Sequence, residues 1–135
     1  MSAVTFLSVD DVLEIHRQVI EAFGGDPGLR DRGLLESAIA MPRSTFDGKE
    51  LHPSLALKAA AYHYHLCANH PFVDGNRRVA VVAAELLLLV NGRDLPARDE
   101  DIETITMGVA GGRISKEQIA TFFQKHVRQS DGQST

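Results

Sequence analysis

The sequence predicts an all-α single domain, on three observations. Apolar residues recur at helical spacing through most of the chain, and no segment shows a strand-length alternation of apolar and polar residues. A continuous apolar run, Val79–Val90, is long enough for a buried helix, contains Glu85, and is too short to span a bilayer. One small hairpin is the single optional addition to the helices.

The elements follow in order. Ser8 is placed to cap a first helix, with Asp10 and Asp11 at its positive end and Val12, Ile15, Val19 and Phe23 at helical spacing; Gly24-Gly25 ends it. A short helix from about Gly33 to Met41 carries Leu34, Leu35, Ala38 and Ile39 on its apolar side, and Pro42 stops it. Residues 43–52 have no clear helical period. Phe46-Asp47-Gly48 reads as a turn, so a short hairpin or extended flap fits there, with His52 as part of it. Pro53 suits a first turn, and Ser54–Asn69 forms an Ala- and Leu-rich helix. After Val79–Val90, Asn91-Gly92 is a stop. Asp99 is read as the cap of a helix running to about Val109, and Gly111-Gly112 closes it. Ser115 opens the last helix, with Ile119, Phe122, Phe123 and Val127 facing inward.

Bulk properties narrow the function. A chain of 135 residues supports one domain with a real core, taken as residues 1–128 and followed by a polar tail, 129–135, expected to fray. The net charge of −4 and the lack of a basic stripe argue against nucleic acid as the partner. Cys67 is the only cysteine, which excludes an intrachain disulfide and a cysteine metal cluster; a small buried role and a reducing cytoplasm are expected. The first residues lack the plan of a signal peptide, and no membrane association is expected.

The run His70-Pro71-Phe72-Val73-Asp74-Gly75-Asn76-Arg77-Arg78 carries the chemistry. It places a proton acceptor, a carboxylate, a tight turn and two guanidinium groups immediately before a helix. The free N–H groups of that helix and the turn made by Gly75 and Asn76 suit an anion. Gly75 tolerates backbone angles that a side chain opposes and lets phosphate oxygens approach closely. Arg78 suits a bidentate grip on phosphate, Asp74 suits Mg²⁺, and His70 suits acceptance of a hydroxyl proton near neutral pH. Phe72, buried, anchors the loop. A polar loop that merely caps a buried helix accounts for Gly75 and Asn76, but not for His, Asp and two Arg residues crowded beside it.

These residues resemble a family. His70-x-Phe72-x-Asp74-Gly75-Asn76-x-Arg78 is similar to the core motif of the Fic/Doc superfamily, whose larger branch reads His-Pro-Phe-x-Asp/Glu-Gly-Asn-Gly-Arg-x-x-Arg. Gly33-Leu34-Leu35-Glu36-Ser37-Ala38 before Pro42, and Gly111-Gly112-Arg113-Ile114-Ser115 before the last helix, resemble the Doc (death-on-curing) branch, so the likeness covers roughly residues 6–127. Two positions depart from the larger branch: Arg77 replaces its Gly and Val81 its second Arg, and both changes follow the Doc pattern.

The resemblance implies a Fic-fold toxin that passes the γ-phosphate of ATP to a Ser or Thr hydroxyl of a target protein, with a translation factor such as elongation factor Tu as the implied target. It gives His70 as general base, Asp74 as holder of Mg²⁺ or positioner of the acceptor, Gly75 and Asn76 as builders of the phosphate turn, and Arg77 and Arg78 on the ATP phosphates. No inhibitory Ser/Thr-x-x-x-Glu-Gly/Asn segment is found, so restraint is expected from a small Phd-like antitoxin in trans. The rivals are AMP transfer by the same fold and a catalytically inactive binding module. A flap at residues 43–52 that aligns the target peptide by adding a strand is the family's device, and a plain surface loop is the alternative there.

The other histidines are expected to be structural. His63 and His65 are read as packing residues that support the loop, His16 and His126 as solvated, and Tyr62 and Tyr64 as packing.

Overall fold

A computed structural model describes residues 3–130, and within them the helical prediction holds. Helix α1 (Val9–Phe23) opens with a reciprocal capping box: Ser8 Oγ accepts from the Asp11 N–H while the Asp11 carboxylate accepts from the Ser8 N–H. Helix α2 (Arg32–Ala40) starts one residue earlier than predicted, because the Asp31 carboxylate accepts from the Leu34 N–H. Pro42 sits in a 3₁₀ turn, Met41–Arg43, that finishes this segment. Strands β1 (Thr45–Phe46) and β2 (Lys49–Glu50) then pair antiparallel, Thr45 with Glu50 and Phe46 with Lys49. Asp47 (φ 54°) and Gly48 (φ 77°) both take positive φ, which is the primed turn that a two-residue hairpin loop requires.

Helix α3 (Leu55–Asn69), capped by Ser54, is the hub, packed on α2 and on the three later helices, α4 (Asn76–Val90), α5 (Asp99–Ala110) and α6 (Lys116–His126). Its burial runs all round the helix, through Ala59, Ala60, Ala61, Tyr62, His63, Leu66 and Cys67. The alanines matter. Ala59 and Ala60 on α3, with Ala80, Ala83 and Ala84 on α4, are all fully buried, and short side chains allow two helices to approach closely. Tyr62 ties the N-terminal segment to this core, its hydroxyl accepting from the Leu7 N–H at 3.0 Å.

Four expectations change. The Val79–Val90 run is not buried throughout: Val79, Ala80, Ala83, Ala84, Leu87 and Leu88 face the core, while Val82, Leu89 and Val90 are exposed. Asp99 is not a cap; Arg98 holds that position without a side-chain bond to the helix N–H groups, and Asp99, Glu100 and Asp101 form an acidic first turn instead. A second strand pair exists beside the expected hairpin, β3 (Arg93–Asp94) with β4 (Arg128–Gln129), because the chain after α6 returns to the end of α4. Gln129 therefore pairs with Arg93, and the Ser130 N–H donates to the Gly92 carbonyl at 3.2 Å; the rest of the expected tail, residues 131–135, lies outside the described residues. Finally, His16 is not solvated but 4% exposed, for a reason that lies in the loop it faces.

Candidate active site

The run 70–75 joins the end of α3 to the start of α4, and both helices are fixed by the core just described. The loop between them is braced from two sides. From behind, the α1–α2 connector lies antiparallel to it: the Arg30 and Asp31 N–H groups donate to the Pro71 carbonyl (2.8 and 3.0 Å), and the Val73 N–H donates to the Gly28 carbonyl (3.0 Å). From α1, the His16 ring stacks on Phe72 with centroids 3.8 Å apart and planes 8° from parallel. Its Nε2 meets the Asp74 carbonyl at 2.9 Å; a carbonyl only accepts, so Nε2 carries the proton. Phe72 is 1% exposed, the anchor that the sequence predicts.

Asn76 closes the loop on itself. Its Oδ1 accepts from the Phe72 N–H at 3.0 Å and its Nδ2 donates to the Phe72 carbonyl at 2.9 Å. Its side chain is thus committed to shaping the turn. Gly75 (φ 85°) precedes α4, and no side chain caps that helix, so its first N–H groups stay available to an anion. This backbone angle itself calls for glycine, while a Cβ there would lie at ordinary contact distance from Val19, Ile20 and His16 on α1. At Gly25 space is shorter: at φ 118°, its Cβ would stand 3.1 Å from Asp74 Cβ.

His70, Asp74, Gly75, Asn76, Arg77 and Arg78 all border one cleft of about 1000 Å³. His70, Asp74, Arg77 and Arg78 are exposed to it, while Gly75 and Asn76 are half-buried. Asp74 Oδ2 accepts from the Asp26 N–H at 2.7 Å; Oδ1 takes no hydrogen bond from the described residues and is open to a ligand. The Arg78 guanidinium lies over the Phe23 ring, 4.0 Å from its centroid, a stacking that restricts where its N–H fork points. Phe23 was expected to face the core, yet it is 62% exposed and serves Arg78 instead.

Away from the 70–78 run, the cleft is walled by Val81, Val82, Ile102 and Met107, with Glu85, Asp99 and Glu103 among its lining residues. Burial, helped by the Asp99 charge, holds the Glu85 carboxyl above its ordinary range. Among the described residues, no three His, Cys, Asp or Glu side chains converge as a metal site. A divalent cation at Asp74 would thus rest on one carboxylate plus phosphate and water oxygens, the arrangement Mg²⁺ favours and a histidine-bound metal does not. Cys67 is no nucleophile: burial pushes its thiol up to about 11.

The site is thus an uncapped helix start between two packed helices of a helical bundle, flanked by imidazole, carboxylate and guanidinium. Sequence comparison names the family. The chain matches the Fic/DOC family over residues 6–88. It is 40% identical over 106 residues to the Toxin Doc of Mycolicibacterium smegmatis, covering 67% of this chain and 82% of that protein. It is 30% identical over 114 residues to the Protein kinase doc of Escherichia phage P1, covering 84% of this chain and 89% of that one. The chain belongs to the Fic/Doc family and is a Doc-like member with the helical Fic fold.

Arg30, Phe23, His16 and Asp26 escaped the sequence reading. Asp31 three residues before Leu34 signals a cap, and Arg30 stands beside it, but nothing local links residue 30 to residue 70.

Proposed function

We propose that this protein is a Doc-like toxin that transfers the γ-phosphate of ATP to a Ser or Thr hydroxyl of a target protein. One observation carries the reading: the uncapped start of α4 opens into the same cleft as exposed His70, Asp74 and the stacked Arg78. In this reading the α4 N–H groups and Arg78 bind the transferred phosphoryl oxygens, and Arg77 meets the remaining phosphates. His70 takes the acceptor's proton as its oxygen bonds to phosphorus and the bridge to the β-phosphate breaks, releasing ADP. Asp74 would hold Mg²⁺, which would supply charge neutralisation when bound. Val81 supports phosphate rather than AMP transfer, because the half-buried position that faces the cleft one turn into α4 offers no second guanidinium.

The partners follow the same reading. Phe23, Val73, Val82 and Met107 are exposed apolar residues on the cleft's rim, which suits cover by a segment of a Phd-like antitoxin supplied in trans. A translation factor such as elongation factor Tu is the proposed target, and the cytoplasm the compartment. No described helix is long and apolar enough to cross a membrane.

Incubating the protein and a cell extract with γ-labelled and, separately, α-labelled ATP tests the chemistry. Label passing to protein only from the γ position is the expected result, with His70→Ala abolishing it. Label passing from the α position means AMP transfer, and a His70→Ala variant that still arrests growth means a binding module.

A further inference from the structure

His70 adopts φ 48° and ψ 57°, a left-handed conformation that only one other described non-glycine residue, Asp47, shares. It sits where helices ordinarily place glycine, just past the end of α3. Glycine-ended helices satisfy their last carbonyls with the N–H groups of the next two residues. Here the second of those residues is Pro71, which has no N–H, so one of the two bonds cannot form.

Arg30 grips the carbonyls at the turn itself. Its Nε donates to the His70 carbonyl at 2.6 Å and its Nη2 to the Asn69 carbonyl at 2.9 Å. Its own backbone N–H donates to the Pro71 carbonyl at 2.8 Å, so one residue holds three consecutive carbonyls. The positive charge also faces the negative end of the α3 dipole. A fork is needed: one ammonium cannot reproduce two fixed N–H vectors.

We propose that Arg30 is the positioning residue for His70, locking the left-handed backbone that carries the imidazole into the cleft; its kinetic consequence rests on the transfer reading above, its geometric one does not. Two measurements on the full chain test it. Arg30→Met should lower kcat of label transfer by about ten- to a hundredfold, as expected for a displaced base, while ATP binding changes by less than about threefold. Arg30→Lys, which keeps the charge and loses the fork, should recover only part of that loss, and it is read the same way if Arg30→Met fails to fold. In histidine-labelled protein, the His70 ring resonances should shift or broaden in either variant while those of buried His63 hold. Loss of melting temperature with kcat within about twofold of the parent would leave Arg30 a structural residue only and overturn the proposal. Unmoved His70 resonances overturn it too, and that readout still decides should the parent transfer no label at all.

Discussion

Asn76 spends its whole amide on the backbone of one residue four positions earlier, giving and taking a hydrogen bond with Phe72. Asn76→Ala leaves that N–H and carbonyl without partners in a half-buried loop, where each unsatisfied group costs about 1–3 kcal/mol. The expected outcome is a lower melting temperature by thermal denaturation together with weaker nucleotide binding, because the turn is also the proposed anion site. Nucleotide affinity unchanged in a destabilised variant would separate the two. His16 acts in the same place by other means: a ring clamped on Phe72 and a proton fixed on Nε2 by the Asp74 carbonyl.

The β1–β2 hairpin is small and its strands are fully exposed, so its attachment comes from elsewhere. Lys58 on α3 is buried, and its Nζ donates to Glu50 Oε1 at 2.9 Å and to the His52 carbonyl. An ammonium at 1% exposure survives only when partnered, whereas Glu50 is half in solvent. Glu50→Ala strands the Lys58 charge on a single carbonyl. Breaking a fully buried pair costs several kcal/mol, and screening on the Glu50 side reduces this to about 1–2 kcal/mol. Hydrogen exchange should accelerate at residues 44–52 ahead of the rest of the protein; uniform exchange across the chain would show that the tether does not hold the flap. Phe46 (75% exposed) and Leu51 (51% exposed) make this hairpin an apolar platform, which suits a role in holding the target.

Across the whole molecule, the core keeps histidines neutral. Thr106 Oγ1 donates to the Ile102 carbonyl, so it accepts from His63 Nε2–H, leaving His63 Nδ1 a bare buried lone pair. Burial holds His63 down to about 4, and burial with the Lys116 charge does the same for His65. Their unfolded imidazoles titrate near 6.5. Between those values the unfolded chain binds protons that the native chain refuses, so stability is complete above pH 6.5 and falls as the pH drops toward 4. For His63 the slope approaches about 1.4 kcal/mol per pH unit, and the more open His65 adds less. Chemical denaturation at pH 7 and pH 5 should show this loss, and His63→Gln should flatten it. Equal stability at both values would mean that these imidazoles are protonated in the folded state.

Helix positions, the hairpin turn and the core face of α1 were legible because each depends on neighbours within a few residues: a cap, a periodic apolar face, an Asp-Gly pair with positive φ. The candidate site was likewise legible, since one short segment holds His70, Asp74, Gly75 and Arg78, and all four border the same cleft. Tertiary structure alone decided that Phe23 leaves the core to carry Arg78, that His16 sits behind the loop, and that Arg30 grips the end of α3. Those contacts join residues 39 or more positions apart, and which distant side chain meets a carbonyl depends on how the helices pack, which no local pattern encodes.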